Sequence, residues 1–256
     1  MFDYASDLHL EFAPAPESFF VPDPEPVLIL AGDITTVRHL KQDIPFFEKA
    51  AKHWQKVFYV LGNHEFYGGE FSDRAIHDFR TALAPIENLT LLENGCEEFE
   101  GVRYIGTTLW TDYTPKDRPG NPMAQIEAIA TAETRMADFR VIKGFSGMRS
   151  VAWHQRALEF LKEALDGMDT GPAVIISHHG PLYELNEAHQ GSVISPAFVS
   201  DLGGLDWLWK DNLMAWVYGH LHTNICLTHR QTKIVANCRG YPGEIKRARD
   251  FIPAWL

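Results

Sequence analysis

The sequence predicts an α/β protein: a mixed sheet, or a two-sheet sandwich, flanked by helices. Three observations predict it. Strand-sized apolar runs rich in β-branched and aromatic residues recur along the chain, and each ends in a glycine or a polar turn. Apolar residues at helical spacing fill the intervals between them. Near the C-terminus, two further strand-like stretches are separated only by a short polar link, which predicts a hairpin.

Taken in order, a short first strand precedes Asp7; it starts almost at Met1, so weak pairing is expected of it. Val27-Leu28-Ile29-Leu30 reads as a buried strand running into Ala31-Gly32-Asp33. Phe46, Phe47, Ala50, Ala51 and Trp54 mark a helix, and Val57-Phe58-Tyr59-Val60-Leu61 marks the next strand, ending at Gly62-Asn63-His64. Phe71, Ala75, Ile76, Phe79 and Leu83 repeat at helical spacing. Ser150 reads as the N-cap of a helix carrying Trp153, Ala157, Leu158, Leu161 and Leu165, with Gly167 as its stop. Val174-Ile175-Ile176 and Ala215-Trp216-Val217-Tyr218 are strands leading into Ser177-His178-His179 and Gly219-His220. The hairpin covers 225–228 and 233–236. Strands alternating with helices imply parallel β-α-β pairing in a layered sheet.

The segment 111–147 fits this pattern least. A loop rich in Pro, Gly and Asp leads to a helix expected over 123–136, and the segment is either a surface excursion or a partial lid. Leu205-Asp206-Trp207-Leu208-Trp209 is expected to pack in the core, with one of its aromatics a candidate to line a pocket. No repeat or linker interrupts the chain, so one domain over 1–256 is expected.

The formal net charge is −11, which repels a polyphosphate backbone and disfavours nucleic-acid partners. Divalent cations would offset that charge locally, where an anionic substrate needs it. No apolar run approaches the length of a membrane span, and the N-terminus lacks the basic and apolar regions of a secretory signal. A soluble, cytoplasmic protein with no membrane partner is expected. Cys96, Cys226 and Cys238 are scattered, as suits reduced thiols, and Cys96 and Cys226 are expected to serve as small buried apolar residues.

The strand ends carry the chemistry. Asp7-Leu8-His9, Gly32-Asp33, Gly62-Asn63-His64-Glu65, Ser177-His178-His179-Gly180 and Gly219-His220-Leu221-His222 each follow an expected strand. Ligands bind outside the carboxyl ends of strands in such sheets, so these five segments can converge. In irregular backbone, side chains at i and i+2 can point the same way. Asp7 and His9 could therefore grip one ion, and His220 and His222 could each serve one of two adjacent ions. A carboxylate such as Asp33 can bridge two cations. A glycine before Asp33, Asn63 and His220 lets the backbone turn sharply there.

Five such pieces in this order resemble the calcineurin-like metallophosphoesterase superfamily, and the resemblance spans 7–222. It implies a four-layer α-β-β-α sandwich of two mixed sheets and a dinuclear centre. One ion would take Asp7, His9, Asp33 and His222; the other would take Asp33, Asn63, His178 and His220. His64 would be the catalytic histidine, with Glu65 holding its ring. The N and O donor set, free of thiolate, suits Mn, Fe or Zn. Two cations about 3.5–4 Å apart can clamp an in-line phosphoryl displacement and activate a bridging hydroxide. The implied activity is hydrolysis of a phosphomonoester or phosphodiester of a small phosphorylated substrate. His64 would stabilise transition-state charge or protonate the leaving oxygen.

Asp33 is followed by Ile-Thr-Thr-Val and Gly62 is preceded by Leu61, without the arginines of the protein Ser/Thr phosphatase branch. Asn237-Cys238-Arg239-Gly240-Tyr241 resembles an Asn-Pro-Arg-Gly-Tyr loop of related bacterial members, with Cys238 in place of proline. Arg239 is a candidate for gripping a substrate phosphate or for a surface salt bridge. His179 is a candidate for touching substrate or a polar loop residue. The alternatives to the hydrolase are a nuclease of the same superfamily, which the acidic charge disfavours, and a non-catalytic scaffold, which should have lost ligands that this chain keeps.

Overall fold

The computed structural model describes residues 1–167, 171–244 and 251–256. Its strands are β1 (Phe2–Ala5), β2 (Val27–Ala31), β3 (Lys56–Val60), β4 (Leu89–Leu91), β5 (Gly95–Phe99), β6 (Val102–Thr107), β7 (Ala173–Ser177), β8 (Leu213–Tyr218), β9 (Asn224–His229), β10 (Thr232–Asn237) and β11 (Ala254–Trp255). They form one sheet in the order β11-β1-β2-β3-β4 and a second in the order β5-β6-β7-β8-β10-β9. In both sheets the inner pairings are parallel, and antiparallel strands join only at edges: β11 in the first, β5 and β9 in the second. Both sheets are therefore mixed.

The period of two along each strand sorts its residues between two cores. Val27, Ile29 and Ala31 of β2 meet Val174 and Ile176 of β7 in the layer between the sheets, together with Phe58, Val60, Val217 and Val235. Leu28 and Leu30 face outward, against Phe47 and Ala50 of α1 (Leu40–His53), Trp54 just beyond its end, and Ala75, Ile76, Phe79 and Leu83 of α2 (Asp73–Leu83). Ala173 and Ile175 face the other way, toward Ala157, Leu161 and Leu165 of a long helix over Gly147–Asp166. Helix, sheet, sheet and helix make four layers. Burying strands on both faces accounts for their continuous apolar runs.

The segment 111–147 holds α3 (Pro122–Arg135) and a short helix, α4 (Asp138–Val141), so the long helix is α5. Ala128, Ile129 and Ala132 of α3 pack on Val151 of α5 and on Tyr113. Asn121 caps α3 by accepting from the amides of Met123 and Ala124.

Several expectations need correction. The N-cap of α5 is Ser146, which accepts from Arg149 N; Ser150 lies within the helix and donates to Thr111 O at 3.1 Å. β1 is an interior strand, paired with β2 on one side and β11 on the other. Cys96 and Cys226 are exposed, because they sit on the edge strands β5 and β9, while Cys238 is buried. Trp209 does pack in the core, with its indole N–H donating to Leu202 O at 3.0 Å. No helix among the described residues is long and apolar enough to cross a membrane.

Parallel strands end on the same side, and the two sheets are stitched together there. Ser6 N donates to Asn237 O at 3.0 Å and Arg239 N donates to Ser6 O at 3.1 Å, which places the end of β1 beside the end of β10. The cysteine in the Asn237-Cys238-Arg239 loop has a use at this seam. Its amide donates to Asn224 Oδ1 at 2.8 Å, a bond that proline cannot make.

Candidate metal centre

Residues beyond the ends of β1, β2, β3, β7 and β8 converge at this edge. The backbone bends sharply to deliver them: φ is 52° at Asp7, 47° at His9, 55° at Asp33, 68° at His220 and 49° at His222. A left-handed conformation costs a residue with a Cβ free energy, and its concentration here is backbone strain spent on aiming side chains. Glycines permit the close packing. A Cβ on Gly32, at φ 85°, would stand 2.4 Å from His178 Nδ1, and one on Gly62 would stand 2.2 Å from Asp33 Oδ1.

The side chains form two clusters with Asp33 between them. Asp7, His9 and His222 place donor atoms within 4.8 Å of one another, as do Asp33, His178 and His220. His9 Nε2 lies 3.2 Å from His222 Nε2, and His222 Nε2 lies 3.4 Å from Asp7 Oδ1. Asp33 Oδ1 is 3.3 Å from His178 Nε2, and Asp33 Oδ2 is 4.0 Å from His9 Nε2, so its two oxygens address the two clusters. Asn63 Oδ1 lies 3.1 Å from His178 Nε2. All seven residues expected as ligands are thus brought together.

Supporting groups aim these donors. His178 Nδ1 faces Ala31 O at 2.9 Å, His9 Nδ1 faces Glu11 Oε1 at 3.1 Å, and His222 Nδ1 faces Glu244 Oε2 at 2.6 Å. Each acceptor holds a proton on Nδ1 and leaves Nε2 to the centre. Asn63 Nδ2 donates to Asp138 Oδ1 at 2.8 Å, which fixes the amide with its oxygen toward His178.

His64 borders the centre, but its partner is not the one expected. Its Nδ1 lies 2.8 Å from Glu11 Oε1, its Nε2 lies 3.0 Å from Tyr241 Oη, and its ring stacks on Tyr67 with centroids 3.9 Å apart. Glu65 does not hold that ring. Its buried carboxylate accepts from the amides of Gly62 at 2.6 Å, Asp33 at 3.0 Å and Ile34 at 2.7 Å, and from Tyr59 Oη at 2.6 Å. Glu65 therefore ties the ends of β2 and β3 together. Arg239 also departs from expectation: its buried guanidinium donates to Leu8 O at 2.8 Å, Ala13 O at 2.9 Å and Pro14 O at 2.9 Å, fixing the loop that carries His9. His179 is buried between Trp110 and His220, with ring centroids at 5.3 and 4.3 Å, and is absent from the residues lining the cavity.

Sequence reasoning missed Glu11, Tyr67, Asp138 and Glu244. Only Glu11 carried a signal, since it continues the alternation Asp7, His9 by two more residues.

Burial alone works against the charges of Asp7 and Asp33. The bond and charge of His222, with the charge of His178, hold Asp7 below the ordinary carboxylate range, and the charges of His178 and His64 do the same for Asp33. Burial also works against protonating His178 and His222, yet the facing carboxylates raise them to about 10 and about 9. Burial beside other histidines lowers His179 to about 3 and sends His220 the same way. For His64, burial is outweighed by the Asp33 charge and the bond to Glu11, so it titrates above its usual value. Burial and the Asp33 charge push Glu65 up to about 7.

The residues fit a pair of cations. His220 Nε2 is buried with no hydrogen-bond partner, an orphan that a cation would satisfy. Protonated His178 and His222 supply the positive charge facing the carboxylates, and cations would take over that role with the imidazoles neutral.

A four-layer sandwich with imidazole and carboxylate donors clustered at its strand ends is the architecture of a metallophosphoesterase. The chain belongs to the calcineurin-like phosphoesterase family, whose model matches residues 2–224. It is 26% identical to an uncharacterized protein of Acanthamoeba polyphaga mimivirus, over 94% of this chain and 91% of that one. It is 25% identical to the acyl-carrier-protein phosphodiesterase PptH of Mycobacterium tuberculosis, over 98% of this chain and 80% of that one. The crystal structure of that phosphopantetheinyl hydrolase superimposes with a TM-score of 0.79 at 20% identity, covering 99% of this chain and 95% of the other.

Proposed function

We propose that this chain is a dinuclear metal-dependent phosphodiesterase acting on a small phosphorylated substrate. The observation that carries this reading is the position of Asp33, whose two oxygens face two separate donor clusters. Asp7, His9, Asp33 and His222 would hold one ion, and Asp33, Asn63, His178 and His220 the other; Mn, Fe or Zn suits these donors. Bound there, the pair would supply Lewis-acid stabilisation and a nucleophile available near neutral pH.

The chain's own residues bind, orient and move the proton. A cavity of about 350 Å³ opens onto Asp33, Asn63, His64, His220 and His222, with Phe198 and Leu221 among its apolar lining. His64 holds its Nδ1 proton toward Glu11 and presents Nε2 at the rim beside Tyr241, where a protonated imidazole can give its proton to a departing oxygen. Asp138 holds Asn63 from the 111–147 segment, and Arg135, Met136 and Ala137 beside it line the cavity, which supports a partial lid there. A diester is favoured over a monoester because the buried Arg239 guanidinium, a candidate for a substrate phosphate, donates to main-chain carbonyls, and a monoester dianion gains more from such a cation than a diester does. The name of the mycobacterial phosphodiesterase supports the same choice.

The test is metal analysis of the purified chain, with turnover of bis(p-nitrophenyl) phosphate and p-nitrophenyl phosphate in Mn²⁺. A diester preference of about tenfold or more in kcat/KM is expected, equivalent to about 1.4 kcal/mol. His64→Ala should lower kcat by about 10²–10⁴-fold at unchanged metal content. Undiminished turnover in that variant removes His64 from the proton transfer, and absence of bound metal sinks the reading as a whole.

A further inference from the structure

The Tyr241 hydroxyl stands where His64 Nε2 points. The His64 ring is fixed from two sides: Nδ1 is bound to Glu11 Oε1 at 2.8 Å, and one face is stacked on Tyr67 with centroids 3.9 Å apart. Nε2 has a single in-plane direction for a hydrogen bond, and Tyr241 Oη lies in it at 3.0 Å. Tyr241 lines the same cavity as Asp33, His64 and His222. A departing oxygen that reached Nε2 directly would have to take the place of that hydroxyl.

Tyr241 is held in its place. Its ring packs against His9, His222 and Phe12, with centroids 4.5, 4.6 and 5.6 Å away. Its main chain is clamped as well. Gly240 N, at a φ of 70°, donates to Asp7 O at 3.1 Å. Tyr241 N donates to Glu244 Oε2 at 3.0 Å, and Glu244 N donates to Tyr241 O at 3.0 Å. The loop is therefore bound to the segment that carries Asp7 and, through Glu244, to His222. The residue is still 37% exposed, so it is not sealed away from the cavity that it lines.

We propose that Tyr241 is a catalytic residue: its hydroxyl hands the proton to the departing oxygen, and His64 supplies it. The proposal rests on the hydrolase reading above and refines its proton path. Glu11 keeps a proton on His64 Nδ1. With His64 neutral, Nε2 can only accept, and the phenol O–H is directed at it. With His64 protonated, Nε2–H donates to Oη, and the phenol proton is free to turn to the cavity. As the P–O bond breaks, its electron pair stays on the departing oxygen. That oxygen takes the proton from Oη while Oη takes the proton from Nε2. The alcohol leaves, Tyr241 is again a neutral phenol, and the neutral His64 regains its proton from water.

Tyr241→Phe keeps the ring against His9 and His222 and removes only the hydroxyl. The full, Mn²⁺-loaded protein is assayed with two diesters. Methyl phenyl phosphate releases a phenolate that needs a proton to leave well, and methyl p-nitrophenyl phosphate releases a p-nitrophenolate that leaves without one. In Tyr241→Phe, kcat on the phenyl ester should fall by about 10²-fold and on the nitrophenyl ester by about threefold or less, with KM and metal content unchanged. His64→Ala, which removes a charge as well as a proton, should lose activity on both. Equal losses on the two esters in Tyr241→Phe overturn the proposal, because a packing role predicts them. An unchanged or raised kcat on the phenyl ester also overturns it, and makes the hydroxyl a plug that substrate displaces. The contact is read without turnover in ¹⁵N-histidine-labelled, Zn²⁺-loaded protein. There the Nε2 resonance that His64→Ala deletes should shift in Tyr241→Phe, and an unmoved resonance counts against the relay. If the wild type turns over neither ester, the hydrolase and this role fall together. Wild-type turnover without the ester-dependent loss removes this role alone.

Discussion

The Asp7, His9 and His222 half of the centre is held by carboxylates, and the Asp33, Asn63 and His178 half largely by the fold itself. His9 and His222 each lean on a glutamate, Glu11 and Glu244, and Glu244 is exposed. His178 leans on the carbonyl of Ala31 in β2, and Asp33 accepts from the amide of His64 at 2.8 Å. A main-chain support cannot be removed by substitution and costs nothing further to order once the sheet has formed. A carboxylate support makes its imidazole more basic, and is open to change. The first half should therefore be adjustable and the second fixed.

Asp33 belongs to both halves, so changing it tests whether they act as one. Asp33→Asn keeps the shape and removes the charge. Activity on the diester should fall by about three to four orders of magnitude, roughly 4–5 kcal/mol of transition-state stabilisation. Metal content should fall for both ions. Loss of one ion with the other retained would show that the halves bind independently.

The adjustable half is probed by its two glutamates. Glu11→Gln loosens both His9 and His64, and should cost about 10–100-fold in kcat together with weaker metal retention. Glu244→Gln acts on His222 and on the turn of Tyr241, whose amide donates to Glu244 Oε2 at 3.0 Å, and leaves His9 and the Glu11 bond of His64 in place. It should weaken metal affinity by about tenfold while kcat recovers at saturating Mn²⁺. Titrating activity against free Mn²⁺ separates the two. Equal losses of kcat in both variants would mean that Glu11 has no separate role through His64.

The half held by the main chain was the more legible from sequence, for a physical reason. Asp33, Asn63 and His178 stand only a few residues beyond strongly apolar strands, so the strand pattern alone places them. Glu11 on His64, Glu244 on His222 and Asp138 on Asn63 act across 53, 22 and 75 residues of separation, on partners that no local pattern names; only the Glu11 contact with His9 is local. Glu65 misled because it adjoins His64 in sequence, whereas the 3-10 turn over His64–Phe66 points the two side chains apart. Arg239 misled because its acceptors are main-chain carbonyls, which any sequence supplies. β5 escaped because its residues are only partly buried and mostly polar, and β11 because it has two residues.

The smallest effect on metal and activity is expected from a carboxylate that supports the fixed half at a distance. Glu93 is buried and accepts from Thr108 N at 3.0 Å and Thr108 Oγ1 at 2.7 Å; Thr108 O in turn faces His179 Nδ1 at 3.2 Å, and His179 packs on His220. Burial pushes the Glu93 carboxyl up from 4.5 to about 7 in spite of those bonds. Its folded value is therefore raised above its unfolded one. Between the two values the folded chain keeps a proton that the unfolded chain has lost, so this group's contribution to stability falls as pH rises through that window and is level above it. The cost above neutral pH is on the order of 3 kcal/mol at most, since each pH step of one between the two values is worth about 1.4 kcal/mol. Glu93→Gln keeps an oxygen for Thr108 and cannot ionise. Its urea midpoint should match that of the wild type near pH 5 and exceed it near pH 8.5, with metal content unchanged at both. A wild-type deficit that does not grow with pH would show that Glu93 is already charged in the folded chain. A loss of metal in the variant would show that the fixed half depends on Glu93 as well as on Asp138 and Glu65.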